Sequence, residues 1–279
     1  MKIAISSDNH LDVNQVDVEQ ALKFQAQWLG SHQVDYYFFA GDLFNDFQQT
    51  QDYFARLQKR LGIQVKVYYI AGNHDMLNHA PYSVVESSNA PAYLHNRFVD
   101  LPGTDWRVIG NNGWYDYSLS PFADQPAKVA QWKKVYWLDS AIDQPGSDQE
   151  RMQTVLSQVD HQLVAAQQAH KRVTMLTHFA PAKEALAPTP RYVVSKRQQY
   201  FYHMFLAMTG SARLGQLVAK AGNVRYVFYG HLHGVHPPFT RNGVTYLNQA
   251  VGVKNKRLNE WQAADFQTQW QRTLRIMTL

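Results

Sequence analysis

The stretch YYFFAGDLFND, residues 36–46, begins as an apolar strand and ends abruptly in two acids, Asp42 and Asp46. Around it the chain alternates two periodicities. KIAIS (2–6) reads as a strand. In VDVEQALKFQAQWLGS (16–31), Val18, Leu22, Ala26 and Leu29 share one helical face. VDYYFFA (34–40) is the second strand. TQDYFARLQKRLG (50–62) is a helix closed by Gly62, and VKVYYIA (65–71) is the third strand. This alternation predicts an α/β fold with parallel strands joined by crossover helices. Functional groups then gather at the carboxyl ends of the strands.

Further along, WRVIG (106–110), VTMLT (173–177) and RYVFYG (225–230) read as strands, and residues 149–170 as a helix. GVTYLNQAVG (243–252) and QWQRTLRIMTL (269–279) read as strands of a largely antiparallel end. No repeat, low-complexity tract or linker divides the chain, so a single domain spanning 1–279 is expected. Residues 113–147 carry many aromatics and little periodicity, and read as an insertion or lid. Residues 180–213 read as a substrate-facing segment.

The 279 residues are ample for a sizeable core. Without cysteine there is neither a disulfide framework nor a thiolate metal site. No secretory signal is evident in MKIAISSDNHLD, and no apolar run is long enough to cross a membrane, so the expected compartment is the cytoplasm. A net charge of +5 admits an anionic partner, phosphorylated substrate or nucleic acid, but is equally a solubility feature.

The event in the opening stretch recurs. KIAIS is followed by Asp8 and His10, YYFFA by Asp42, and VYYIA by Asn73, His74 and Asp75. VTMLT is followed by His178, and YVFY by His231 and His233. Taken singly, each cluster has an ordinary reading as a turn, a helix cap or a satisfied structural histidine. Together they deliver nitrogen and oxygen ligands to one edge of a parallel sheet, which points to a shared metal site. Histidine and carboxylate donors without thiolate suit Mn, Fe, Zn or Co.

The series DxH, GD, GNHD, H and GHxH, in this order over residues 8–233, resembles the signature of the calcineurin-like metallophosphoesterases. The resemblance implies a four-layer sandwich of two mixed β-sheets flanked by helices, with two metal ions (Mn, Fe or Zn) at the carboxyl ends of the strands. One ion would be held by Asp8, His10, Asp42 and His233. The other would be held by Asp42, Asn73, His178 and His231, making Asp42 the bridge. A metal-bound hydroxide would attack a small or nucleotide-like phosphoester, and His74 would stabilise the phosphoryl oxygens or protonate the leaving group. Asp42 and His74 are thus the catalytic candidates.

The chain departs from the pattern at Asn45, where many relatives carry an acid oriented toward the His74 position. Asp46 or Asp75 could substitute, although Asp75 also reads as a turn or cap residue. Asn45, Arg191 and Arg197 are candidate substrate-binding residues. Lys183, Lys196 and Arg213 add to the cations of their segment, which could hold a non-reacting phosphate. Trp114, Tyr115, Tyr117, Trp132, Tyr136 and Trp137 could stack on a base or simply pack the insertion. Ser211 is a plausible helix N-cap, and that helix could present free N–H groups to an anion. A nuclease of the same family is the alternative. A non-catalytic scaffold is less favoured, because every ligand position is filled.

Overall fold

The strand β2 (Tyr36–Ala40) is buried along its whole length, and the architecture explains why. In the computed structural model, which describes residues 1–78 and 80–279, β2 lies inside a sheet covered on both faces. Tyr36, Phe38 and Ala40 pack into a core shared with Trp106, Val108, Leu176 and Phe228. Tyr37 and Phe39 pack outward with Leu22, Leu29, Phe54 and Leu57. A strand covered on both sides must be apolar throughout rather than alternating.

The remaining elements, in chain order, are β1 (Lys2–Ser6) and α1 (Val18–Ser31) before β2, then α2 (Phe47–Leu61), β3 (Lys66–Ile70), α3 (Tyr82–Ser87), β4 (Arg97–Asp100) and β5 (Trp106–Gly110). They continue with α4 (Pro126–Tyr136), α5 (Asp148–Gln168), β6 (Arg172–Leu176), α6 (Lys196–Ala207), α7 (Ala212–Ala221) and β7 (Val224–Tyr229). The chain closes with β8 (Phe239–Arg241), β9 (Val244–Asn248), α8 (Phe266–Thr273) and β10 (Arg275–Thr278). One sheet has the order β10-β1-β2-β3 and the other β4-β5-β6-β7-β9-β8. Strands β1, β2 and β3 are parallel, as are β5, β6, β7 and β9, while β10, β4 and β8 pair antiparallel at the margins. Helices α1, α2 and α8 cover the first sheet, and α5 and α7 the second. The result is the expected sandwich of two mixed sheets flanked by helices.

Helix starts follow their caps. Asp17 accepts from the Gln20 N–H and opens α1. Asp46 accepts from the Gln49 N–H, so α2 begins a turn earlier than its apolar spacing indicates.

Two expectations need correction. Residues 243–252 are antiparallel on one edge only. Asn242 and Gly243 both have left-handed backbone (φ 50° and 76°), which makes β8–β9 a tight antiparallel hairpin. The other edge of β9 then runs parallel to β7. Residues 269–279 are not one strand. Asp265 accepts from the Thr268 N–H and starts α8, and only Arg275–Thr278 extend as a strand, against β1.

The aromatics of 113–147 divide. Trp114, Tyr115 and Tyr117 are fully buried, whereas Tyr136 faces solvent. Trp114 Nε1 and Lys133 Nζ donate to Asp148, and Tyr115 donates to Asp139. These rings are therefore held by core contacts rather than presented for stacking.

Trp270 of α8 fills the space between helix and sheet, edge-on to Phe24, Trp28 and Tyr37 and donating to Ser6 Oγ. Trp270→Ala is expected to cost about 3–5 kcal/mol of stability by urea denaturation. A loss below about 1 kcal/mol would contradict this packing role.

Candidate metal centre

Three strands of the first sheet and two of the second end at one place. After β1 the backbone turns left-handed at Asp8 (φ 55°) and His10 (φ 43°), after β2 at Asp42 (φ 64°), and after β7 at His231 (φ 63°). Asp and His tolerate this region better than most residues, but it still stores strain. Two glycines make room. A Cβ at Gly72 would overlap the Asp42 carboxylate, and one at Gly230 would overlap the Asp8 carboxylate.

The loops are tied by main-chain donors. Asp8 Oδ1 accepts from the His231 N–H at 2.9 Å, and Asp42 Oδ1 from the His74 N–H at 2.8 Å. Asp75 is the central knot. Its buried carboxylate accepts from the N–H groups of Asp42, Leu43, Phe44 and Gly72 and from the Thr50 hydroxyl. Burial and the neighbouring Asp42 charge raise its pKa to about 6.

Three of the imidazoles have their tautomers set by what lies behind them. His178 Nδ1 is 2.8 Å from the Ala40 carbonyl, so it carries the proton. The lone pair on Nε2 then faces Asp42 Oδ2 at 3.2 Å and Asn73 Oδ1 at 3.1 Å. His231 Nε2 is 3.2 Å from the Met208 carbonyl, leaving Nδ1 facing Asn73 Oδ1 at 3.0 Å. His233 Nδ1 is 2.8 Å from Glu260, and its Nε2 faces Asp8 Oδ1 at 3.2 Å and His10 Nε2 at 3.1 Å. Asn73 gives its N–H₂ to Asp139 at 2.8 Å, which aims its oxygen inward. Asp8 Oδ2 is buried without a protein partner.

Acceptors thus confront acceptors at the centre, an arrangement that only positive charge resolves. Asp8, His10 and His233 form one group whose ligand atoms lie within 4.8 Å of one another, and Asp42, His178 and His231 form another. Asp42 Oδ2 lies between them, 3.7 Å from His10 Nε2 and 3.2 Å from His178 Nε2. The donor set and the orphaned carboxylate oxygen fit two cations of the imidazole- and carboxylate-binding kind.

In the absence of cations, protons take that place unevenly. Burial pushes both His178 and His233 down. Asp42 outweighs it at His178, which rises to about 9, while Asp8 and Glu260 outweigh it at His233, which rises to about 10. Burial and the charge of His178 take His231 down to about 3, and burial with the charge of His74 takes His10 well down.

The departure at Asn45 has a local answer. Asn45 Oδ1 lies 2.6 Å from His74 Nδ1. Neither acid substitutes, since Asp46 caps α2 and Asp75 ties the loops. Sequence reasoning missed Asp139 and Glu260, the carboxylates behind Asn73 and His233, because WLDSA and RLNEW carry no motif. Arg191 and Arg197 are exposed, and the Arg197 guanidinium lies over Phe201. A cavity of about 510 Å³ opens against His231 and His233, and neither arginine lines it. Ser211 does cap α7, but its first amides are taken by Ser118 and Ser211 themselves. Among the described residues, no helix is long and apolar enough to cross a membrane.

A family model described as calcineurin-like phosphoesterase matches residues 1–235. No curated protein matches the chain. A dimetal phosphatase from Danio rerio superimposes with a TM-score of 0.51 at 14% identity, over 90% of this chain and 87% of its own. Another solved structure gives 0.52 at 14% identity, over 89% and 90%. At such identity the likeness establishes the fold alone.

Stability of the ion-stripped protein is expected to peak near the ordinary histidine pKa of 6.5. Above it, the unfolded chain has released protons that folded His178 and His233 keep until about 9 and 10, so stability falls with rising pH. Below it, the unfolded chain binds protons that His10 and His231 refuse, so stability falls with falling pH. Urea denaturation across pH 5–9 measures this, and a monotonic profile would contradict the electrostatics described.

Proposed function

Because the chain belongs to the calcineurin-like phosphoesterase family of metal-dependent hydrolases, we propose that its strand-end cluster holds two ions for hydrolysis of a small or nucleotide-like phosphoester, monoester or diester. Asp8, His10, Asp42 and His233 serve one ion, and Asp42, Asn73, His178 and His231 the other. The observation that carries this reading is the pair of ligand groups meeting at Asp42, with the lone pairs of His178, His231 and His233 each aimed by an acceptor behind the ring. The ions, when bound, supply Lewis acidity and activate water.

The chain's own residues do the rest. Asp139 and Glu260 orient Asn73 and His233, and the carbonyls of Ala40 and Met208 orient His178 and His231. Asn45 is a neutral acceptor that keeps the His74 proton on Nδ1 and leaves Nε2 as the nitrogen that exchanges a proton with the leaving oxygen. The segment 180–213 supplies a wall of the adjoining cavity and is read as substrate-facing. Among the described residues, that wall has no lysine or arginine, which favours a small ester over a nucleic acid backbone.

Hydrolysis of bis(p-nitrophenyl) phosphate tests the reading. Chelation should abolish it, Mn²⁺ should restore it, and Asp42→Ala protein should stay at the metal-stripped rate. Robust turnover by Asp42→Ala protein would sink the assignment. His74→Ala should lower the turnover rate by about 100-fold with the ions still bound, because the leaving oxygen loses its proton donor. An unchanged rate would remove His74 from proton transfer.

A further inference from the structure

The cavity beside His231 and His233 has a chemistry distinct from the ligand cluster. At about 510 Å³ it has room for a whole organic group. Tyr192, Phe201, Tyr202 and Phe205 give its wall four aromatic rings, and Leu206 and Leu232 are among the aliphatic residues beside them. The polar groups present are largely engaged. Glu260 accepts from the Val253 N–H at 2.7 Å as well as facing His233. His236 lies 3.0 Å from the carbonyls of both Ala185 and His233, and the Gln198 amide oxygen accepts from the Ser195 N–H at 2.9 Å. All four rings keep some contact with solvent, Tyr192 most at 70% exposure and Phe205 at 37%. The cations of this segment lie off the wall, so a second phosphate seated there would find no counter-charge.

We propose that this cavity is the subsite for an uncharged aromatic group of the phosphoester, so that the protein selects aryl esters over alkyl esters and polyphosphates. The proposal deepens the functional reading above and rests on it for the phosphoryl end. Because His231 and His233 belong both to the cavity wall and to the ligand cluster, the cavity adjoins the place where the phosphoryl group would sit. Seating it removes apolar surface from water on both partners, and the four wall rings allow offset or edge-on contact.

Phenylphosphonate and methylphosphonate, compared as competitive inhibitors of bis(p-nitrophenyl) phosphate hydrolysis by the Mn²⁺-loaded protein, test this without a leaving group. Phenylphosphonate should inhibit at about tenfold lower concentration, and Phe205→Ala or Tyr202→Ala should shrink that advantage to about twofold while leaving methylphosphonate unchanged. Equal inhibition constants, or an advantage that both substitutions leave intact, would overturn the proposal. If the protein hydrolyses nothing, the functional reading fails on its own. The cavity is then tested by 2-naphthol fluorescence on the metal-stripped protein. Saturable binding weakened by Phe205→Ala supports the aromatic subsite, and no saturable binding overturns it.

Discussion

Everything at the carboxyl edge of this fold is governed by one electrostatic constraint: the acceptors point at each other. His178, His231 and His233 are each pinned from behind by an acceptor, so their free lone pairs must face the carboxylates and the Asn73 oxygen. Such a cluster is unfavourable until a positive charge enters it. With protons alone the demand is met unevenly, His178 and His233 being driven to hold a proton while His231 is driven to refuse one. A pair of cations satisfies all of them together.

Holding that arrangement requires backbone conformations that the residues would not choose. Asp8, His10, Asp42 and His231 are left-handed at the ends of strands locked in a doubly covered sandwich. Asp75 gathers four main-chain N–H groups from the Asp42 and Gly72 loops into one carboxylate. The rigidity of the sheets and the convergence of these hydrogen bonds are what keep the strained turns in place.

Much of this was legible in the sequence, and the reasons for the rest are specific. The strand-end clusters are contiguous signals, a few residues after an apolar run, so Asp8, Asp42, Asn73 and His231 announce themselves. Asp139 and Glu260 do not, since their role exists only once distant segments are packed behind Asn73 and His233. The role of Asp75 was hidden in the same way, because a buried carboxylate serving a loop 33 positions earlier looks like a local cap. The Asn242–Gly243 hairpin signal was not read from the sequence, and even that signal says nothing of the far edge of β9, whose parallel partner is chosen by the sheet. The rings of 113–117 resemble a stacking platform in sequence and become core only because Asp139 and Asp148 take their polar ends.

The chain has no cysteine, and the topology offers another way to staple it. His10 and His233, 223 positions apart, meet at the cluster, and ligands from both sheets converge there. Ions seated between them would therefore act as cross-links, closing a loop that spans most of the chain. Closing so long a loop removes conformational freedom from the unfolded ensemble, in the manner of a disulfide. In this molecule a chelator would play the part that a reducing agent plays for a disulfide-bonded protein, loosening one half of the sandwich from the other.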